Sequence, residues 1–256
     1  MALECMHMTQ TQIATIDSFP VLFIIFAYFF MLRFLQTDFL KERMKGILPN
    51  LAACGIFMGL AIASKWIGIY AGGGLAILFF WHCFRVYRMR REAEQAVMRD
   101  GMTAAEKVET ESWVAERPDN AGAARRILII CGWCVVFFAA IPIVIYLLSY
   151  IPYMAYNSRR IKSIGDYINE VWQSQISMLN YHGTKNLGTD HPFYSPWYEW
   201  PIIKKPMYYA SEQYLPKDSQ LHYSIFCCGN PVIWFGGLAA LAYCAIRALN
   251  SRRYIL

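Results

Sequence analysis

The run from Ile47 to Phe84, ILPNLAACGIFMGLAIASKWIGIYAGGGLAILFFWHCF, decides how this chain is read. A membrane-crossing helix needs about 20 mostly apolar residues, and this run is too long for one crossing. Its only charged residue is Lys65, within Ser64-Lys65-Trp66. The run therefore predicts two helices, 47–63 and 67–84, joined by a tight turn near Lys65. Lysine and tryptophan side by side suit the water-facing end of such a hairpin. Gly72-Gly73-Gly74 falls inside the second helix, where small residues allow close packing.

Outward from this hairpin the pattern repeats. Apolar stretches at 13–35, 127–150 and 225–249 predict three further spans, five in all. The composition agrees: 57% of the 256 residues are hydrophobic and 16% charged, against about 25% charged in soluble domains. The fold expected is an all-α polytopic membrane protein with a single membrane domain over 1–256. The net charge of +6 does not imply nucleic-acid binding, because most of the basic residues flank the spans. Arg33, Lys41, Arg43 and Lys45 follow the first span, Arg85 to Arg91 the third, Arg125 and Arg126 precede the fourth, and Arg247 to Arg253 close the last. Alternating spans place them all on one side, so the positive-inside rule makes residues 85–126 cytoplasmic and 151–224 extracytoplasmic. The N-terminus is then outside and the C-terminus cytoplasmic, in a multi-pass plasma-membrane protein, bacterial by the resemblance given below. Residues 1–12 carry no secretory signal pattern.

Within 85–126, nine basic and eight acidic residues predict a solvated loop, helical from Arg85 to Arg99 and loosely ordered from Gly101 to Asn120. Within 151–224, Ile161, Ile164, Ile168, Val171, Trp172, Ile176 and Leu179 recur at spacings of three and four. They predict an amphipathic helix on the membrane surface, ended by Tyr181-His182. After it comes His191-Pro192-Phe193-Tyr194-Ser195-Pro196-Trp197-Tyr198-Glu199-Trp200-Pro201. Five of these eleven residues are aromatic and three are proline, which predicts a shaped, aromatic-lined loop.

Several residues could carry chemistry. Asp17 is a carboxylate near the outer end of the first span, and such groups are functional candidates by default; a hydrated interfacial carboxylate is the alternative. Lys65 could hold a lipid phosphate as a point charge, or anchor the hairpin at the interface together with Trp66. His182 and His191 could donate to a phosphate or move a proton. The rings of Trp197, Tyr198 and Trp200 could stack on a sugar, or form an interfacial belt. The histidine spacing matches no metal-ligand pattern, so no metal is expected. Cys131-x-x-Cys134 lies on a membrane span and is read as two small residues on one face. The eight cysteines imply no disulfide framework. There is no P-loop and no dinucleotide fingerprint.

Four blocks carry a resemblance. Leu3 to Asp17 (LECMHMTQTQIATID) resembles a helix start of the bacterial protein O-mannosyltransferases. Gly59 to Tyr70 is similar to that family's SKW-x-G-x-Y segment. Tyr181-His182 with His191 to Pro201 is similar to its outer-loop pattern, and Gly229-Asn230-Pro231-Val232-Ile233-Trp234 to its GNPxxW helix start. The resemblance implies a GT-C membrane glycosyltransferase. Such an enzyme moves a sugar, typically mannose, from a polyprenyl-phosphate carrier to a protein Ser or Thr on the extracytoplasmic face. It implies an inverting displacement with an acidic general base, a lipid-linked donor as co-substrate and no further cofactor. Asp17, Lys65, Trp66, His182, His191, Trp197, Trp200 and Asn230 would then bind substrate. The family's acidic first-loop motif is expected to lie outside this chain, so no catalytic residue is assigned and the chain is expected to be a central fragment. Gln12 stands where the family often has arginine, and Lys205 replaces an arginine before the loop's last proline. The expected partners are the carrier, an acceptor protein and the bilayer, with no nucleic acid. The alternatives are a lipid-carrier-binding subunit without catalysis and a transporter.

Overall fold

The structure, a computed structural model, describes residues 9, 16–98, 103–156, 163–184, 194–210 and 225–250. The chain divides into two compact units, residues 16–160 and residues 1–15 with 161–256.

The first unit is a helical bundle. Helix α1 spans Ser18–Leu35, α2 Met44–Ser64 and α3 Gly68–Val97. A short α4 covers Ala104–Ala115. Helix α5, Asn120–Val135, runs through a π-helical turn at Val136–Ala140 into α6, Ile141–Tyr156. Ser18–Leu35, Met44–Ser64, Gly68–Val97 and Asn120–Tyr156 are long and apolar enough to cross a membrane. Helix α3, with 30 residues, is about 45 Å long, so its basic second half extends beyond a bilayer core of about 30 Å.

Large apolar side chains cover the outer faces. Ile77 is 72% exposed, Leu128 71%, and Phe80, Trp81 and Phe84 all exceed half. Water would not tolerate so broad an apolar surface, but lipid tails do. Inside, Met31, Phe34, Ile47, Leu51, Cys54, Leu75, Phe79 and Ile130 are buried together. Phe57 of α2 stacks on Phe26 and Phe30 of α1, with ring centroids 4.9 and 5.6 Å apart.

In lipid, apolar burial gives little net drive to helix association, so close backbone packing matters more. Gly55-x-x-x-Gly59 supplies it. A Cβ on Gly55 would lie 2.1 Å from the carbonyl oxygen of Phe137, and one on Gly59 2.9 Å from the Pro142 Cα. That carbonyl belongs to the π-helical turn, whose cause is local. Pro142 has no N–H to offer the Phe138 carbonyl, and its ring crowds that carbonyl. The turn before it widens in consequence. Of the three central glycines, Gly74 is approached by the Tyr28 hydroxyl and Gly72 by the Met58 sulfur, whereas Gly73 faces open space.

The expectation of loose chain from Gly101 to Asn120 is corrected: α4 occupies most of it. Thr103 and Glu106 form a reciprocal capping box, in which the Glu106 carboxylate accepts from the Thr103 backbone N–H (3.0 Å) and hydroxyl (2.7 Å). The bonds hold the Glu106 carboxyl below the usual glutamate range. T-x-x-E is a helix-start signature legible in the sequence, but the high charge density masked it. Ion pairs then tie α4 to the α1–α2 connection. Lys41 meets Glu116 at 2.7 Å, and Arg117 pairs with Asp38. The hydrogen bond from the Lys41 ammonium holds the Glu116 carboxyl below its ordinary range. Arg90, 3% exposed, donates from Nε to the Pro118 carbonyl at 2.9 Å and lies 3.5 Å from Glu94.

In the second unit, α7 spans Ile164–Gly183, capped by the Ser163 hydroxyl accepting from the Asp166 N–H at 3.1 Å. This is the expected amphipathic helix. Ile164, Ile168, Trp172, Ile176 and Leu179 all stay exposed along one stripe; Ile161 lies outside the described residues. Strands β1, Met207–Ala210, and β2, Ile225–Cys227, pair antiparallel with Met207 opposite Cys227 and Tyr208 opposite Phe226. The all-α expectation lacked this pair. Runs of four and three residues are too short to show an alternating pattern, and only long-range pairing defines them. Helix α8 spans Pro231–Asn250. Its described apolar part, Pro231–Arg247, is shorter than the four long helices.

Candidate functional site

The α2–α3 hairpin turn is fixed by its own backbone. Lys65 is extended, with φ −160° and ψ 135°, and its N–H donates to the Ala61 carbonyl at 2.9 Å. The Gly68 N–H donates back to the Lys65 carbonyl at 3.0 Å. Gly68 is needed for its size. A Cβ there would lie 2.8 Å from the backbone of Ala61 and Ile62, so the first turn of α3 rests on the last turn of α2. This packing aims the Lys65 side chain.

The Lys65 ammonium donates to the Asp17 carboxylate at 2.5 Å. Asp17 sits just ahead of α1, at its N-cap position, and makes no side-chain capping bond there. The sequence placed it within the span; the structure places it at the helix start, because α1 begins at Ser18, and residues 10–15 lie outside the described ones. The two side chains are 46% and 40% exposed, so the pair contributes at most about 1 kcal/mol to stability. Its value is positional. A lysine ammonium has three donors; Asp17 takes one and leaves the charge open to a second anion.

An aromatic wall continues from the turn. Trp66 Nε1 donates to the Tyr146 hydroxyl at 2.8 Å. The Tyr146 and Tyr150 hydroxyls are 3.2 Å apart, and the rings of Tyr146, Tyr150 and Tyr153 follow one another edge to face. These tyrosines were missed in the sequence. Their spacing, i, i+4 and i+7 near the end of an apolar span, is the signal that would have found them. The structure thus brings Asp17, Lys65 and Trp66 together and adds Tyr146.

In the second unit, His182 is exposed in the last turn of α7, with its ring edge-on to Tyr181 at 5.3 Å. His191 lies outside the described residues, as does the side chain of Trp197. The aromatic stretch folds as a 3-10 turn, Trp197–Ile202. Trp200, 61% exposed, donates from Nε1 to the Ser195 carbonyl at 3.2 Å. The turn ends at Ile203, a β-branched residue at φ 47°, a backbone conformation that such residues rarely adopt. Glu199 accepts from the Lys204 ammonium at 2.5 Å, which pushes the Lys204 pKa up. Trp234 Nε1 of α8 donates to the Pro201 carbonyl at 2.7 Å, so α8 anchors the turn.

The Asn230-Pro231 pair is a helix start. The Asn230 side-chain oxygen accepts from the Val232 N–H at 3.0 Å, and proline at the first helical position has no N–H to leave unpaired. Asn230, expected to bind substrate, serves here as a cap. Among the described residues, no three His, Cys, Asp or Glu side chains gather as a metal site.

Comparisons with known proteins place this geometry in context. The family described as "Dolichyl-phosphate-mannose-protein mannosyltransferase" matches residues 1–157. The "C-terminal four TMM region of protein-O-mannosyltransferase" matches residues 167–254. The chain is similar to a polyprenol-phosphate-mannose–protein mannosyltransferase of Mycobacterium tuberculosis (strain CDC 1551 / Oshkosh), 22% identical over 216 residues, covering 77% of this chain and 36% of that protein. A protein of the same name from Mycolicibacterium smegmatis (strain MKD8) is 24% identical over 278 residues, covering 95% and 48%. One from Mycolicibacterium smegmatis (strain ATCC 700084 / mc(2)155) is 26% identical, covering 77% and 37%. The chain spans about a third to a half of the length of these curated relatives. No solved structure matches.

Proposed function

Because this multi-pass membrane chain belongs to the dolichyl-phosphate-mannose–protein mannosyltransferase family, we propose that it serves transfer of mannose from a polyprenyl-phosphate carrier to Ser or Thr hydroxyls of an acceptor protein. In this reading the Lys65 end of the bundle faces outward. The support is charge: Lys41, Arg43, Lys45, Arg85, Arg88 and Arg126 all belong to the opposite end, where Lys41 bonds Glu116 and Arg126 bonds the Glu42 carbonyl, as the positive-inside rule requires.

The observation that carries the proposal is the Asp17–Lys65 pair beside Trp66 and Tyr146. During transfer the acceptor oxygen attacks the anomeric carbon and gives its proton to a carboxylate base. The bond from that carbon to the phosphate oxygen breaks, and the phosphate keeps the electron pair. Its growing negative charge falls to Lys65, whose remaining donors point away from Asp17, and a cation already in place needs no reorganisation. Asp17 orients the ammonium, and so is a positioning residue. The Trp66–Tyr146–Tyr150 wall offers ring edges and hydroxyls to a sugar or a prenyl chain. In the second unit, exposed Trp200 is proposed as a stacking surface for sugar or acceptor, together with Trp197, and His182 and His191 as phosphate donors.

The test uses membranes containing the full chain. Binding of polyprenyl-phosphate-mannose and transfer of its labelled sugar to a Ser/Thr-rich peptide are measured for wild type, Lys65→Arg and Lys65→Ala. Loss of one charged hydrogen bond lowers carrier affinity at least about tenfold in Lys65→Ala, with partial retention in Lys65→Arg. Equal binding by Lys65→Ala removes the phosphate role. Binding without transfer moves the chain to the carrier-binding reading.

A further inference from the structure

At the basic end of the bundle, away from Lys65, lies a cavity of about 440 Å³ that the proposed transfer does not use. The connection after α1, the middle of α3 and the end of α4 line it, through Asp38, Trp81, His82, Arg85, Trp113 and Arg117 among others.

Its polar groups are built in. The Arg117 side chain is only 10% exposed. It pairs with Asp38, donates from Nη1 to the Trp113 carbonyl at 2.8 Å, and lies over the Trp113 ring at 3.9 Å. Its Nε is buried with no partner. The His82 ring is held edge-on between Phe34 and Phe39, at 5.7 and 5.5 Å, and its Nε2 is also buried with no partner. Both residues line the cavity, and unpartnered buried atoms of this kind are costly, so the cavity is a candidate seat for a ligand.

Charge decides what that is. Asp38 is already neutralised by Arg117 and also accepts from the Leu40 N–H at 3.2 Å. Arg85, one turn beyond His82 and exposed, leaves the mouth net positive. Gln36 and Thr37 add uncharged polar lining, and the remainder is apolar: Leu35, Leu78, Val86 and Met89. It continues from Trp81 onto the exposed face of α3, where Ile77, Phe80 and Phe84 stand out. A phosphate fits the cationic mouth, and acyl chains fit the apolar surface beside it. We propose that this cavity seats the phosphate headgroup of an anionic phospholipid from the leaflet at the basic end, clamping α4 onto α1 and α3. Basic pockets between membrane helices hold such headgroups by the same combination of charge and apolar contact.

The test is native mass spectrometry of the full chain in detergent, titrated with phosphatidylglycerol. Wild type is expected to retain the lipid through activation. Arg85→Ala, an exposed position that leaves the fold alone, is expected to weaken binding about five- to tenfold. Arg88→Ala, which removes the neighbouring Glu92 pair outside the cavity, is expected to change nothing. Equal binding by Arg85→Ala overturns the proposal. So does phosphatidylcholine binding as tightly as phosphatidylglycerol. Displacement of the lipid by inorganic phosphate would make this a free-phosphate site and also overturns it.

Discussion

Two glycine-to-alanine changes on the central hairpin should move stability in opposite directions. At Gly55 the new Cβ would sit 2.1 Å from the Phe137 carbonyl oxygen and 2.7 Å from its carbon. An ordinary C···O contact is about 3.3 Å, so helix α2 or the π-helical turn must shift by about 1 Å. The obstacle is backbone, which cannot rotate away. Overpacking of this kind costs about 1–3 kcal/mol, and a backbone clash belongs in the upper half of that range. Alanine recovers up to about 1 kcal/mol of helix propensity, leaving a net loss of about 1–2 kcal/mol. At Gly73 the Cβ meets nothing within 4 Å, so only the propensity gain remains, about 0.5–1 kcal/mol. At about 2–4 °C per kcal/mol, thermal unfolding in detergent should fall by about 2–8 °C for Gly55→Ala and rise by about 1–4 °C for Gly73→Ala. A raised midpoint for Gly55→Ala would show that α2 does not pack on the π-helical turn as described.

Other outcomes follow from the same contacts. Gly68→Ala drives a Cβ into the backbone of Ala61 and Ile62 at 2.8 Å; it should lower carrier binding by displacing Lys65, and unchanged binding would free the hairpin turn from that role. Trp66→Phe keeps an aromatic side chain, smaller than the indole, and removes the donor to Tyr146; the loss of at least about 1 kcal/mol should appear as a fall of a few degrees in unfolding midpoint. Thr103→Ala breaks the capping box at a cost of about 1 kcal/mol, read as faster amide exchange in the first turn of α4. Glu116 titrates below the ordinary glutamate value of about 4.3 because Lys41 donates to it. A depressed carboxylate contributes stability above its unfolded pKa and loses it as pH falls through its folded one. Side-chain NMR in Lys41→Met should therefore show the Glu116 titration moving up toward the ordinary value, with Arg117 still holding it down in part; no movement would deny the pair.

Most of the architecture was legible in the residues. The hairpin around Lys65, the amphipathic stripe from Ile164 to Leu179 and the existence of a span over 127–150 follow from apolar run length and period, which are local properties; the structure extends that span to Asn120–Tyr156. Boundaries were less secure. Helix α1 begins at Ser18, and α3 continues through its charged half to Val97, because helix hydrogen bonding persists where hydropathy has ended. The fourth span shows the limit differently: Pro142 is plain in the sequence and its π-helical turn is local, but which glycine face fits that turn requires a neighbour.

By itself, the sequence determined that this is a polytopic membrane protein with a lysine–tryptophan turn and an aromatic, proline-rich segment between apolar stretches. Composition, run length and four short motifs carry that information without any contact between distant residues. Only the tertiary structure decided what Lys65 touches. Asp17 lies 48 residues away in the chain and Tyr146 80 residues from Trp66, and hydropathy says nothing about which helix ends meet. Side-chain chemistry is written along the chain, but a partner is chosen by packing, and packing depends on which small residues allow two backbones to approach.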